Sequence, residues 1–276
     1  DDKILTDWNG LMIAALAKAG RAFNNDNYID AATKAMNFIL TKMATDNGKL
    51  LHRYRDGEFE HQANLDDYAF VVWGLLELYQ STFEIRYLQY AITYTQILED
   101  HFWDKENGGF YFTPDYGEEL LIRHKDLYDG AIPSGNSVQL NNLLTLSKIT
   151  ANQSFSEYAE QLINSFSNDV KRVPSAYSHF LSGYLKNIYT GSEIVIVGDK
   201  ESKEVKEFLN IINNQVDENR IVILANENNR DELIKLVPYI NDYIMVDNKP
   251  TVYVCKNFEC NLPTNSLEKL EELLQN

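Results

Sequence analysis

The feature that most constrains this fold is an alternation of two kinds of helical segment along residues 8–189. Residues 8–23 and 65–79 are apolar on nearly every face, which is typical of helices buried on most sides. Residues 26–43 and 84–101 each carry one apolar stripe, so we expect them to lie on the outside. The alternation therefore predicts an array of helical hairpins with an inner and an outer layer.

The same alternation continues after residue 130. Pro133 indicates the start of a third apolar helix, because proline suits a first turn in which its missing N–H would be unpaired anyway. An amphipathic segment follows at about residues 155–166, and a fourth inner helix is predicted from Pro174 to Tyr189. These rounds of inner and outer helices predict a mainly α fold, part of an (α/α)6 toroid built of helical hairpins.

Short β segments are predicted between the helical hairpins. The alternating pattern of Gly48–Phe59 around Asp56-Gly57 predicts a small β-hairpin. A second hairpin is predicted at Gly108–Phe112, with Tyr116-Gly117 as its turn.

The pattern changes after Gly191. The β-branched run Glu193–Val197 is followed by helical segments that alternate with further short strands. This alternation predicts a small α/β unit with at least some parallel strand pairing. We therefore predict two domains, a toroid portion at residues 1–190 and a small α/β unit at residues 191–276.

Charge and composition exclude some classes of partner. A formal charge of −16 over 276 residues argues against a nucleic-acid partner, since phosphate backbones require a concentrated basic face. The sequence contains no window of about 18 apolar residues, so no transmembrane helix is predicted. Its first residues lack a signal-peptide pattern. The chain begins without Met, so we interpret it as a fragment of a longer protein. Two cysteines are too few for a disulfide framework, which favours a cytoplasmic location and buried, inert thiols at Cys255 and Cys260.

Polar side chains gather where the predicted inner helices begin. In a toroid these starts face one rim, and the preceding loops add charged groups to it. Carboxylates, guanidinium groups, imidazoles and aromatic faces around a concave mouth are what sugar chemistry uses. The candidate catalytic residues are Asp66, His61, His124 and Asp129, and the candidate substrate-binding residues are Trp8, Asn9, Asp67, Tyr68, Arg53, Arg123, Ser134 and Asn136.

Asp66 and Asp67 are the sharpest of these candidates. Neighbouring helical residues diverge by about 100°, so at most one of the two points into a cavity. A carboxyl group there acts as a general acid if burial raises its pKa. The alternative is that both acids favour the helix dipole and that Asn64 with Asp67 forms a capping box. For Asp129 the alternatives are a site role and a turn-forming role.

The histidines suit proton transfer near neutral pH. His61 and His124 are each singly placed, so a surface or helix-capping imidazole is the alternative for either one. His52 and His101 carry weaker signals. No cysteine or histidine pair has the spacing of a zinc site, so neither a metal nor another cofactor is expected.

Five motifs resemble a known family. They are L-T-D-W-N-G-L-M-I-A-A-L-A-K-A-G (5–20), L-D-D-Y-A-F-V-V-W-G-L-L-E-L-Y (65–79), F-W-D-K-E-N-G-G-F-Y-F-T (102–113), D-G-A-I-P-S-G-N-S (129–137) and V-C-K-N-F-E-C-N-L-P (254–263). The chain resembles the family that includes spermatogenesis-associated protein 20, whose members join an N-terminal thioredoxin-like domain to a six-hairpin toroid related to N-acylglucosamine 2-epimerases. The resemblance implies that this chain is the C-terminal part of such a protein, with the N-terminal remainder as its partner.

The resemblance also implies sugar chemistry. The leading hypothesis is a sugar epimerase or isomerase that abstracts a proton next to the carbonyl of an open-chain carbohydrate. Asp66 or a rim histidine is the expected acid or base. Arg53 or Arg123 is expected to stabilise the enolate oxygen. Trp8 or Tyr68 is expected to stack on the sugar.

Two alternatives come from other functional classes. One is a glycoside hydrolase that uses Asp66 and Asp129 as paired carboxylates. The other is a non-catalytic toroid that binds a peptide or protein and is linked to redox handling through the thioredoxin-like domain. An incomplete ring would leave inner helices partly bare, so self-association or a complementary chain is also expected.

Overall fold

The computed structural model describes residues 2–118, 120–189, 191–217, 219–256 and 259–275. The chain forms two compact units, one of Asp1–Leu144 with Gln153–Leu185 and one of Thr145–Asn152 with Lys186–Asn276. The domain boundary predicted after residue 190 stays a prediction, because compactness alone does not establish that a segment folds independently.

The first unit is built of helical hairpins, as the hydrophobic periodicity predicts. The structure confirms the predicted helices, although α6 is longer at both ends than its apolar stripe indicates, and the fourth inner helix begins at Ser178 and not at Pro174. The last residues of α5 and α7 belong to the second unit. The helices are α1 (Thr6–Phe23), α2 (Asp26–Lys42), α3 (Leu65–Thr82), α4 (Ile85–His101), α5 (Gly135–Thr150), α6 (Gln153–Arg172) and α7 (Ser178–Ile188), with a 3-10 turn at Pro174–Ala176.

Burial separates the inner from the outer helices. In α3 every side chain from Tyr68 to Val72 is fully buried, and the helix packs against α1 and α4. The outer helix α6 instead buries one stripe, made of Phe155, Ala159, Leu162, Phe166 and Val170. Among the described residues, no helix is both long enough and apolar enough to cross a membrane.

A glycine allows α1 to approach α3 closely. A Cβ atom added at Gly10 would lie 2.6 Å from the carbonyl carbon of Phe70 and 2.8 Å from the nitrogen of Val71. Any larger residue would therefore push the two helices apart. The close contact places the first turn of α1 beside the first turn of α3.

The predicted hairpin around Asp56-Gly57 is confirmed. Strands β1 (Ile4–Leu5), β2 (Leu51–Arg55) and β3 (Glu58–Gln62) form an antiparallel sheet in that order. Asp56 and Gly57 have φ angles of 53° and 87°, the positive values that a two-residue type I′ turn requires. The sheet lies next to the start of α1, because β1 ends where that helix begins.

The second predicted hairpin is wrong. The described residues of this segment form one isolated antiparallel bridge, between Trp103 and Phe110. The side-chain amide of Asn136 accepts from the N–H of Phe110 and donates to its carbonyl, both at 2.9 Å. An amide side chain can replace a strand partner because it offers the same donor and acceptor as a peptide group.

The second unit is a small α/β sheet. The predicted parallel pairing is confirmed between β4 and β5, while β6 runs antiparallel to both of its neighbours in the order β5-β4-β6-β7. Its elements are β4 (Ser192–Val197), α8 (Lys203–Asn213), β5 (Ile221–Ala225), α9 (Arg230–Leu236), a 3-10 turn (Pro238–Asp242), β6 (Thr251–Lys256), β7 (Glu259–Cys260) and α10 (Leu267–Gln275).

The prediction of inert thiols is wrong. Cys255 in β6 lies directly opposite Cys260 in β7, and the two form a disulfide. The strand register creates this contact, since antiparallel pairing places two residues with a sequence separation of 5 side by side.

Candidate functional site

Two neighbouring carboxylates at the start of α3 connect this helix to the starts of α1 and α5. Asp67 accepts a hydrogen bond of 3.0 Å from the N–H of Asp7, in the first turn of α1. Asp66 accepts one of 2.8 Å from the N–H of Gly135, the first residue of α5. Helix starts carry free N–H groups and a partial positive charge, so a carboxylate from a neighbouring helix stabilises them.

Asp129 makes the same kind of connection between α5 and α7. One carboxylate oxygen accepts from the N–H of Ser134 at 3.0 Å. The other oxygen accepts from the N–H groups of His179 at 2.8 Å and Phe180 at 3.1 Å, in the first turn of α7. The starts of α1, α3, α5 and α7 are thus joined in series by Asp66, Asp67 and Asp129, and we call these residues with the four helix starts the rim.

Asp66 is the rim carboxyl group best suited to exchange a proton at neutral pH. Burial raises its pKa to about 7, and the nearby charges of Asp67, Asp7 and Asp126 act in the same direction. The hydrogen bond from the N–H of Gly135 lowers the pKa and so opposes this shift. It is the only hydrogen bond that the carboxyl group of Asp66 makes among the described residues. A carboxyl group with a pKa near the working pH can both give and accept a proton.

Asp67 is an anchor. Its side chain is fully buried, and one oxygen accepts from Asp7 while the other accepts from the N–H of Asn64 at 2.8 Å. Nδ1 of His52 lies 3.0 Å from both oxygens. The side chain of Asn64 completes a capping box with Asp67, which confirms the capping alternative for this residue.

His52 and Asp7 are rim neighbours that the sequence patterns missed. The hydrogen bond to Asp67 raises the pKa of His52, whose side chain on β2 is 26% exposed. Burial raises the pKa of Asp7, which is 8% exposed and accepts from the N–H of Trp8 at 2.7 Å. The alternation in L-H-R-Y-R puts His52 on one face of its strand, but the sequence does not say which helix that face meets.

These residues also form a cluster of potential metal ligands. One ligand atom from each of Asp7, His52 and Asp67 lies within 4.8 Å of the others. The oxygens of Asp67 already accept from two backbone N–H groups and from His52, so a metal ion would have to displace the imidazole from its hydrogen bond. The donor set therefore fits an ion pair between His52 and Asp67 better than a metal site.

Two of the predicted aromatic groups have opposite exposures. Tyr68 cannot stack on a sugar, because its ring is fully buried against Tyr94 and Phe102 and its hydroxyl accepts from the N–H of Leu50 at 2.9 Å. The prediction that Trp8 or Tyr68 stacks on a sugar therefore rests on Trp8, which lies in the first turn of α1 and is 63% exposed.

The predicted polar binding groups near the helix starts hold the backbone together. Asn136 is fully buried, and its amide forms hydrogen bonds with the backbone of Phe110 and donates one to the carbonyl of Asp126. Ser134 is 6% exposed, and its hydroxyl donates to the side chain of Ser137. Asn9 donates to the carbonyl of Leu5 at 2.7 Å. Their burial argues against the substrate contacts predicted for Asn136 and Ser134, which stay predictions.

The two predicted catalytic histidines lie in other surroundings. His61 lies on β3 with a side chain that is 68% exposed, 3.8 Å from the carboxylate of Glu60. His124 is exposed and stacks on Phe112, with ring centroids 5.2 Å apart. Neither imidazole hydrogen-bonds to Asp66 among the described residues, so the rim does not bring the predicted acid and base together.

The two predicted guanidinium groups are engaged locally. Arg53 pairs with Glu60 across β2 and β3. Arg123 donates to the carbonyls of Thr113 and His101 and lies 4.3 Å from the ring centroid of Tyr111. These contacts hold loops and strands in place, and they engage both guanidinium groups away from Asp66.

Solved structures share this arrangement of helices. A family 76 glycoside hydrolase from a bovine Bacteroides thetaiotaomicron strain superposes with a TM-score of 0.52 and 21% identity, over 59% of this chain and 35% of that chain. The cellobiose 2-epimerase from Spirochaeta thermophila gives a TM-score of 0.50 and 21% identity, over 59% and 43%. The chain is accordingly part of an α/α toroid followed by a small α/β unit, as predicted.

Sequence comparison supports the same resemblance. No protein-family model matches the chain. Spermatogenesis-associated protein 20 from Rattus norvegicus is 32% identical over 284 residues, which cover 99% of this chain and 36% of that protein, and the protein from Homo sapiens gives the same values. The chain is a relative of spermatogenesis-associated protein 20 and spans 36% of the length of these curated proteins, which confirms the family resemblance of its motifs.

Proposed function

We propose that the rim binds a carbohydrate and that Asp66 transfers a proton next to its carbonyl group, as in a sugar epimerase or isomerase. The observation that carries this proposal is the carboxyl group of Asp66, whose pKa is raised to about 7 between the starts of two inner helices. A carboxyl group that is half-ionised at neutral pH serves as base for one proton transfer and as acid for the next.

The hydrogen bond from Gly135 supports a defined orientation for this group. It holds Oδ1 of Asp66, so Oδ2 is the oxygen left to meet a substrate. The starts of α3 and α5 carry partial positive charge, which favours the negative charge that develops on an enolate oxygen. In this proposal the helix starts take the role first predicted for Arg53 and Arg123, whose guanidinium groups are engaged elsewhere.

Trp8 supports binding of a sugar ring at the same place. Its exposed indole follows directly after Asp7, a residue close enough for its charge to raise the pKa of Asp66. Exposed indole faces commonly pack against the apolar face of a sugar ring, while carboxylates bind its hydroxyl groups. The names of the toroid neighbours, an epimerase and a glycoside hydrolase, support a carbohydrate as the ligand class.

The hydrolase alternative is weaker. It needs a second carboxylate beside Asp66. Asp129, the predicted partner, already accepts three backbone hydrogen bonds, from Ser134, His179 and Phe180. A group held in this way is an anchor for helix starts and a poor nucleophile or base.

A peptide- or protein-binding toroid remains the second candidate function. It is favoured by the exposed apolar side chains of Leu121 and Ile122, which are 105% and 80% exposed in the segment between α4 and α5. Large exposed aliphatic groups are typical of protein contacts and are not needed by a sugar site.

The test uses the full-length protein in deuterium oxide with a panel of open-chain-competent monosaccharides and disaccharides. We expect deuterium to enter the carbon next to the carbonyl, and we expect Asp66→Asn to lower that rate by at least about 100-fold, since general base catalysis contributes this much. Asp30→Asn, an exposed site on α2, is the matched control and should retain the rate. Binding of each sugar is also measured by the melting temperature of the protein. If no sugar in the panel gives exchange or raises the melting temperature, the sugar proposal is wrong and the protein-binding candidate remains.

A further inference from the structure

The disulfide of the second unit is more accessible from one side than from the other. Cys255 in β6 is 3% exposed, whereas Cys260 in the edge strand β7 is exposed. A thiolate attacks one sulfur of a disulfide and expels the other. An incoming thiolate therefore reaches Sγ of Cys260, and Cys255 is the sulfur that leaves.

A phenol is placed to assist that departure. The hydroxyl of Tyr243 lies 3.8 Å from Sγ of Cys255 and 3.6 Å from Sγ of Cys260. Burial raises the pKa of Tyr243, so its hydroxyl keeps its proton where thiolates form. The edges of two rings fix its position, with Tyr253 at 4.7 Å and Tyr239 at 6.2 Å between ring centroids.

The position of this disulfide suits exchange better than it suits a structural cross-link. Its two cysteines have a sequence separation of 5, so the bond closes a short loop and removes little freedom from the unfolded chain. Strand β7 pairs with β6 only through Cys260 and Glu259 among the described residues. Exposed disulfides at such edges are the labile ones, whereas structural disulfides resist reduction.

We propose that Cys255–Cys260 is a thiol–disulfide exchange site that accepts electrons from a dithiol. The first thiolate of the dithiol attacks Sγ of Cys260 and forms a mixed disulfide. The electron pair of the broken bond goes to Sγ of Cys255, which is stabilised by the hydroxyl of Tyr243 and then takes a proton. The second thiol of the reductant attacks the mixed disulfide and releases Cys260, so two electrons and two protons reach the protein and the dithiol becomes a disulfide.

The order of attack is tested with a monothiol on the oxidised full chain. Native protein is incubated with glutathione, quenched with an alkylating agent and digested with trypsin, which cleaves after Lys256 and so separates the two cysteines. We expect the glutathione adduct on Cys260 in at least about tenfold excess over Cys255, because the exposed sulfur is the one attacked. An adduct mainly on Cys255, or two free thiols in the purified protein before glutathione is added, would overturn the proposal.

The role of the phenol is tested with dithiothreitol under native conditions. Tyr243→Phe should slow reduction by about threefold to tenfold, since a hydrogen bond to a developing thiolate is lost. Tyr28→Phe removes an exposed hydroxyl on α2, outside the unit that holds the disulfide, and should leave the rate unchanged. If dithiothreitol reduces the disulfide of the wild-type protein only in denaturant, the exchange proposal is wrong. This measurement uses the wild type alone, so it does not depend on the folding of either variant.

Discussion

The rim and the loops around it contain similar residue types, but they use them differently. At the rim, Asp66 and Asp67 are buried between helix starts, and the pKa of Asp66 is raised to about 7. Outside the rim, His61 on β3 and His124 in the segment before α5 are exposed, and they contact Glu60 and Phe112. The difference teaches that a side chain's pKa, and so its suitability for proton transfer, depends here on burial at a helix start. Residue type alone does not determine it.

The largest expected effect comes from Asp67→Ala. It leaves the buried N–H groups of Asp7 and Asn64 without an acceptor and removes the partner of His52. We expect a loss of about 3–5 kcal/mol in the free energy of unfolding, as is usual when one partner of a buried pair is removed. Urea unfolding measures it, and Asp30→Ala on the exposed face of α2 is the control. If Asp67→Ala loses no more free energy of unfolding than Asp30→Ala, burial at the rim has no special effect and the comparison fails.

The pH dependence of stability tests Asp66. Its folded pKa is raised to about 7 from 3.8, so its contribution to stability is present at low pH and is lost as the pH rises towards 7. Asp66→Asn keeps an acceptor for the N–H of Gly135 but removes the charge. Relative to the wild type, the variant should gain about 2 kcal/mol between about pH 5 and about pH 8. Urea unfolding at several pH values gives this difference, and a pH-independent difference would contradict the raised pKa.

His52 sharpens the comparison, because its pKa is also raised and its contribution to stability is lost in the same direction, as the pH rises. The hydrogen bond to Asp67 raises the pKa of His52 above 6.5. The ion pair therefore adds to the free energy of unfolding below pH 6.5, and this contribution is lost as the pH rises through the folded pKa of His52. His52→Gln should therefore cost about 1 kcal/mol more at low pH than at high pH.

A surface ion pair provides the matched control for His52. His101 and Asp115 are 2.8 Å apart but 33% and 53% exposed, so His101→Gln should change stability by less than about 0.5 kcal/mol. Equal costs for the two variants would show that burial at the rim adds nothing to an ion pair.

The smallest effects are expected at the two exposed histidines outside the rim. His61→Ala and His124→Ala should each change the free energy of unfolding by less than about 0.5 kcal/mol, as exposed side chains usually do. Both variants should also keep any deuterium exchange that the wild type catalyses. A large loss of exchange in either variant would move the proposed site from the rim into the loops.

Local patterns in the sequence were sufficient for the helices and for the first β-hairpin. Hydrophobic periodicity reports burial on one face or on all faces, and Asp56-Gly57 has the backbone preferences of its turn. The capping box of Asn64 and Asp67 is likewise local, because its two residues lie within one turn.

The contacts that define the rim could not be read from the sequence. Asp66 and Gly135 are 69 positions apart, and Asp7 and Asp67 are 60 positions apart. Such pairs depend on how helices pack, and no local preference encodes packing. The same holds for His52, whose strand face was predictable but whose neighbour was not. The disulfide of Cys255 and Cys260 depended on a strand register that a run of a few residues does not specify.

The three hydrogen bonds of Asp129 have a consequence for motion. One carboxylate holds Ser134 at the start of α5 and His179 and Phe180 at the start of α7, and its own N–H donates to the carbonyl of Ala176 at 2.9 Å. The two ends bind the two oxygens of one carboxylate, so a movement of Asp129 loosens both ends together. We therefore expect their openings to be coupled, as amide hydrogen exchange would measure, although more than 40 residues of chain lie between them.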